Sequence, residues 1–321
     1  MATHRVVLLG ALAVLGGVTV HAGGADACIQ YYGTSVDGTT KEVEHPIGGV
    51  IVGLTDHREH ERRASAPLGP TPPDDAPVHV RSDHAAALIY HGRAREAVAL
   101  LEAVERLHPG EYVVAANLGT AYELIGDDRQ ALRWITEGVR RNPTSHHGTE
   151  WLHVRILEAK LALAADPAWL TTHSVTGVDF GAGRKPVMPS QWPPGQGPDS
   201  TGEALRYQLH ERMGFVKPPD PIVGALLADY ADLTALESTV EDALPVYDLA
   251  LEYRPARADL IQRRRAHLAD MIEWRKLKAA LVLWGLVAAG VVLLGALVAL
   301  VVRRLRREKG TRSSIASARD R

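Results

Sequence analysis

"NLGTAYELIGDDRQALRWITEGVRRNP", residues 117–143, decides the fold. Leu118 and Tyr122 follow helical spacing, Gly126 interrupts it, and Ala131, Ile135 and Gly138 resume it until Pro143. A glycine at the end of one helix tolerates a left-handed backbone, and a proline after the next helix cannot continue it. The stretch therefore reads as a helical hairpin. Residues 87–109, "ALIYHGRAREAVALLEAVERLHP", carry the same skeleton. Gly92 aligns with Gly126, Ala97 with Ala131, Leu101 with Ile135 and Pro109 with Pro143, each 34 residues apart.

That period, with Ala115, Leu118, Gly119, Tyr122, Ala131, Ile135, Gly138 and Pro143 in their places, resembles the tetratricopeptide (TPR) repeat. The resemblance implies a mainly α, TPR-like solenoid of helical hairpins. Its packing residues here are Gly119, Tyr122, Ala131 and Pro143, with Ala97 and Pro109 one period earlier. Small side chains at Gly119 and Ala131 let two helices cross at the usual 8–10 Å, and Leu118, Tyr122 and Ile135 fill the space between them. In this family the first helices of successive hairpins line a concave groove, so Asn117, Thr120 and Glu123 are the expected partner-binding residues. An amide such as that of Asn117 both donates and accepts, and so suits an extended peptide backbone of any sequence.

Two hairpins cannot bury a continuous core, so at least a third is expected. Residues 224–255 supply a degenerate copy, with Ala231, Ala243, Tyr247 and Ala250 in register but Ser238 where the turn glycine belongs. Between the copies, "TEWLHVRILEAKLALAADP" reads as a long helix with Trp151, Val154, Leu157, Leu161 and Leu163 on its apolar side. "EALRYQLHERMGF" reads as its partner across a Gly/Pro-rich insertion, 168–200. Two states of that insertion are open: packed over the groove, or a flexible excursion. Residues 28–77 read as an irregular N-terminal segment with a short strand hairpin at "GGVIVGL". The resulting order is an export signal over 1–27, the irregular segment 28–77, two repeats over 78–143, and a divergent third over 144–222. A degenerate repeat with a stalk helix over 223–278, a membrane helix over 279–302 and a basic tail over 303–321 complete it.

The ends set the expected location. Arg5 followed by "VVLLGALAVLGGVTV" and small-residue sites at "VHA" and "ADA" has the order of a secretory signal. Cys28 is the sole cysteine, so no internal disulfide can form, and Asp26 disfavours lipid attachment there. The 24 uncharged residues of 279–302 span about 36 Å as a helix, enough to cross a bilayer core. Basic residues dominate 303–321, which is +6 and leaves −8 for the rest of the chain. Such a tail marks the cytoplasmic side, and an acidic body argues against a nucleic-acid partner. The expectation is a single-pass protein of the cell membrane with its body outside. The abundance of Ala, Arg and Val is that of a bacterial chain from a GC-rich genome, which would make the body periplasmic in a Gram-negative cell. Small-xxx-small pairs, Gly285 with Ala289 and Gly295 with Ala299, would let two such helices pack as a homodimer.

Catalytic and metal chemistry is not signalled. Asp56, His57 and His60 share a turn, but they lack the H-E-x-x-H order and a third ligand. "GAGRK" at 181–185 lacks the phosphate-loop spacing, with Pro186 where the helix should begin. No catalytic residue, metal or cofactor is expected. The alternative to a binding scaffold is a hydrolase or carbohydrate-active enzyme built in the insertion from His173, Asp179 and Trp192.

Overall fold

The computed structural model describes residues 30–319, with side chains as far as Arg304. The expected export signal and Cys28 lie outside the described residues. Helix accounts for 68% of the chain, as the scarcity of aromatics and abundance of Ala and Leu lead one to expect. Helices α3 (Val78–Tyr90), α4 (Ala94–Leu107), α5 (Tyr112–Leu124) and α6 (Asp128–Arg141) each pack on the next.

The local geometry repeats with the sequence. At the end of α3, Gly92 (φ 72°) donates to the Ile89 carbonyl at 3.0 Å and Arg93 donates to that of Leu88 at 2.8 Å. At the end of α5, Gly126 (φ 85°) and Asp127 make the same pair of bonds to Glu123 and Tyr122, both at 3.0 Å. This glycine-terminated motif satisfies carbonyls that a helix end otherwise leaves unpaired. Gly119 sets the α5–α6 spacing. A Cβ there would overlap the Ile135 side chain and lie 3.0 Å from the Ile135 backbone nitrogen. Ala97, Leu101, Val114, Leu118 and Ala121 are buried in one cluster, while Ala131 and Ile135 are buried against Leu157 of the following helix. Tyr122 is half-buried between both groups, its hydroxyl donating to Glu102 at 2.5 Å.

Helix α7 (Glu150–Ala165) departs from the expected single apolar stripe. Leu152, Ile156 and Ala159 are buried on one side and Leu157 on another, while Trp151, Val154 and Leu163 are only half-buried. The helix is sandwiched between α6 and α9 (Pro198–Phe215), so no one face carries the signal. Helix α9 begins at Pro198, inside the stretch assigned to the insertion, because Ser200 accepts the Gly197 N–H and closes the first turn.

The insertion is packed, not a flexible excursion, and it carries a short helix, α8 (Trp169–Thr172). It lies against α10 (Pro221–Glu237) and α12 (Ala258–Arg319), away from the groove. Leu170, Val175, Val178 and Phe180 join the largest core cluster. Ser174 and Thr176 donate to Asp229 of α10 at 3.1 and 2.7 Å. Arg257 donates to the carbonyls of Leu170 and His173. Buried Arg264 donates to the carbonyls of Phe180, Gly181 and Gly183 and pairs with Asp232 of α10. Burial raises Asp229 to about 6, and raises Asp232 to about 7 although Arg264 opposes the shift.

The degenerate copy forms α10 and α11 (Val240–Glu252), with Ala231, Ala243, Tyr247 and Ala250 fully buried. Ser238 does not reproduce the glycine conformation (φ −116°), because a two-residue connection replaces the three-residue turn. Thr239 accepts the Asp242 N–H at 3.1 Å, and the Asp242 carboxylate accepts both hydroxyls of Ser238 and Thr239 in return.

The N-terminal segment is more ordered than expected. The hairpin is β1 (Tyr31–Thr34) with β2 (Thr40–Val43), antiparallel, not "GGVIVGL". That run is helix α1 (Gly49–Thr55), with Leu54 fully buried and Val50 and Ile51 beside it on the core. A short apolar run fits a strand or a buried helical turn equally well, and packing on α9 and α11 settles it. Helix α2 (Arg58–Ser65) then runs to α3. Finally, α12 continues unbroken from the last buried layer through 279–302, whose side chains no described element covers. It is long and apolar enough to cross a membrane.

Two outcomes follow from this packing. Gly119→Leu should destabilise the protein by about 1–3 kcal/mol in chemical denaturation, since overpacking a close helix contact forces backbone shifts. Limited proteolysis of the native chain should spare the bond after Phe180, because cleavage requires a segment that leaves the core.

Candidate functional site

Helices α2, α3, α5, α7 and α9 enclose a groove of about 720 Å3. Its α5 wall carries Asn117 and Thr120, both half-buried. The Asn117 amide nitrogen donates to the Ser82 hydroxyl at 3.0 Å, while its carbonyl oxygen has no partner among the described residues. The Thr120 hydroxyl donates weakly back to the Ala116 carbonyl at 3.3 Å, an ordinary bond within a helix. These two expected residues therefore line open space.

Glu123 also lines the groove, but its carboxylate is engaged by the fold. It accepts from His153 Nε2 at 2.8 Å, Lys160 Nζ at 3.1 Å and Arg212 Nη1 at 2.5 Å. Glu150 lies 3.5 Å from the other His153 nitrogen and 2.6 Å from His146, and Lys160 also pairs with Asp128 at 2.5 Å. The result is an alternating chain of acids and bases on α5, α6, α7 and α9. Burial resists charging of Glu123, yet Arg212 and His153 overcome it and hold the carboxyl well below its ordinary value. Burial likewise opposes charging of His153, but bonds to Glu123 and Glu150 prevail and raise it. Removing one partner from such a cluster leaves an uncompensated charge.

Helix α9 was expected only as the second helix of a third hairpin, and it does more. Gln208 reaches Glu150 on α7, Arg212 reaches Glu123 on α5, and the Phe215 ring meets Tyr90 of α3 at 5.5 Å. It thus crosses in front of three helices and forms a wall of the groove. Tyr207 stacks on His146 at 5.3 Å along that wall. From α2, His60 wedges edge-on against Phe215 and Tyr90, and His57 faces His210 at 5.3 Å. Burial lowers the pKa of both His57 and His60, which favours their neutral rings. The turn "TDHREHE" exposes the charged side chains Arg58, Glu59 and Glu61 to solvent, while Asp56, His57 and His60 are half-buried. Its Asp56 is engaged by Arg58. Among the described residues no group of three or more His, Cys, Asp or Glu is placed to hold a metal.

The residues of the alternative enzymatic reading do not converge. His173 stacks on Trp169 at 4.8 Å and bonds its carbonyl, Asp179 accepts the Gly181 N–H at 2.8 Å, and Trp192 packs edge-on against Phe180. No bond joins the three. Sequence reasoning missed Arg212, His153, Lys160, Glu150 and Tyr207. The available signal was His153 and Lys160 standing inside the apolar run of α7. The chain matches no protein-family model, and no curated protein matches it.

Replacing Glu123 by Ala should cost about 3–5 kcal/mol of folding stability, whereas Thr120→Ala should stay within about 0.5 kcal/mol. The raised pKa of His153 adds stability that is complete below 6.5 and fades as pH rises through its folded value. Denaturation midpoints of the wild type should therefore fall from pH 6.5 upward, and His153→Gln should flatten that decline.

Proposed function

We propose that this protein is a membrane-anchored, extracytoplasmic scaffold of TPR type that binds a protein or peptide segment in the groove. The observation that carries the reading is the half-buried pair Asn117 and Thr120 on the groove wall, with the Asn117 carbonyl oxygen unused. An acceptor at that place can take a backbone N–H from an extended segment whatever its sequence. Support for the TPR assignment comes from the 34-residue recurrence of one helix-ending geometry at Gly92 and Gly126 and from the close approach at Gly119.

The groove is narrower than an open solenoid would offer, because α2 and α9 already stand in it. A short extended segment therefore suits it better than a whole helix. The membrane assignment draws on the uncovered apolar length of α12, and the sidedness on the basic residues that follow it and on the signal-like N-terminus. Pairing of two copies through the small-xxx-small positions belongs to the same reading. So does the absence of catalysis: binding, and not bond-breaking, is what the groove is built for.

Site-specific photocrosslinking in native membranes tests this. A crosslinker at Thr120 should give a discrete adduct that a crosslinker at exposed Arg129 does not give. Asn117→Ala should weaken that adduct by about threefold to tenfold, the worth of one hydrogen bond. Equal adducts from both positions, or none from Thr120, would contradict the assignment.

A further inference from the structure

The end of the body from which α12 departs is built differently from the rest of the surface. Arg275 on α12 donates to the Gly33 carbonyl at 2.9 Å and to the hydroxyls of Thr34 and Thr40, both at 2.7 Å. One guanidinium therefore holds both strands of the β1–β2 hairpin. Glu241 of α11 accepts the N–H and hydroxyl of Thr34 at 2.8 and 2.7 Å, and Lys41 donates to the carbonyls of Leu236 and Glu237 at the end of α10. The hairpin is thus fastened to three helices and cannot swing away from α12 without losing these bonds.

Arg275 stands four residues before the uncharged run that begins at Ala279, which is about 6 Å of helix. The polar layer of a bilayer is about 5–8 Å deep on each side of its hydrocarbon core. A hairpin clamped to Arg275 therefore lies within that layer whenever 279–302 crosses the membrane. The exposed side chains at this end agree. Tyr32 is 64% exposed, Trp274 63% and Ile47 37%, and Ile47 precedes Gly48, whose N–H is held by Asp242 in the first turn of α11. Aromatic rings with one polar edge are the side chains that settle at a membrane–water interface.

We propose that the β1–β2 hairpin, with Tyr32 and with Trp274 next to Arg275 in the chain, is a membrane-seating surface that rests in the phospholipid headgroup layer and fixes the orientation of the body on the bilayer. This rests on the reading of 279–302 as a membrane span. The seat needs no particular lipid charge, since the acids and bases around it are mixed and Lys276 is paired with Glu273.

Full-length protein with Cys28→Ser, carrying a single introduced cysteine and an environment-sensitive fluorophore, can be reconstituted in phosphatidylcholine vesicles. Nitroxides on the lipid headgroup or on the acyl chain then report depth. Fluorescence from Tyr32→Cys should fall about twofold with the headgroup nitroxide, the depth expected for a residue beside Arg275. Glu42→Cys, the cross-strand neighbour of Tyr32, should behave alike and guards against a defect from losing the ring. Ala256→Cys, about 32 Å or more from the span by helical rise, should be unaffected. Leu286→Cys should be quenched by the acyl-chain nitroxide. Quenching at 286 with positions 32 and 42 as silent as 256 would overturn the seat and leave the span standing. No acyl-chain quenching at 286 would overturn the span, and the seat with it.

Discussion

The guanidinium of Arg264 is the joint on which the rest of the molecule depends. It comes from the last helix, is buried, and is met by the carboxylate of Asp232 on α10 and by three carbonyls of the insertion. A charge removed from water must find compensation on every side, so these four contacts fix where α12, α10 and the insertion stand relative to one another. Asp232 also accepts the Tyr247 hydroxyl at 2.5 Å, which draws α11 into the same arrangement. Because α12 leaves this joint without a break, its angle to the body is fixed before any lipid is involved.

The opposite half of the molecule solves a different problem. Four helices of near-equal length stack through small residues, and two of them, α3 and α5, end in the same glycine motif. Closure comes from outside the repeat. Helix α9 brings Arg212 to Glu123 and Phe215 to Tyr90, and α2 adds His60 to the same aromatic group. The groove is therefore the space left between α3 and α5 on one side and α2, α7 and α9 on the other. Its floor is an ionic chain whose members stabilise one another, while Asn117 and Thr120 line the open space of the groove.

The helices, their boundaries near Gly92, Gly126, Pro109 and Pro143, and the uninterrupted run into 279–302 were legible because each depends on local chemistry. Helical spacing, backbone freedom and a missing N–H act within a few residues. What escaped the sequence depends on partners far along the chain. The strand hairpin at 31–43 is set by Arg275 and Glu241, roughly two hundred residues away. The helix at 49–55 is decided by α9 and α11, and the two-sided burial of α7 erases the stripe that would have marked it. Glu123 was identified as a groove residue by its place in the repeat. Its capture by Arg212 could not be seen, because no local pattern links positions 89 residues apart.

The folded body and the uncovered apolar run 279–302 share a single unbroken helix, α12. The most direct test is the distance between spin labels at Gln262→Cys and Leu293→Cys in the Cys28→Ser background, measured by double electron–electron resonance in lipid. An unbroken helix predicts a narrow distribution near about 46 Å. A broad distribution centred well short of that would mean a hinge between body and span, and would contradict the account.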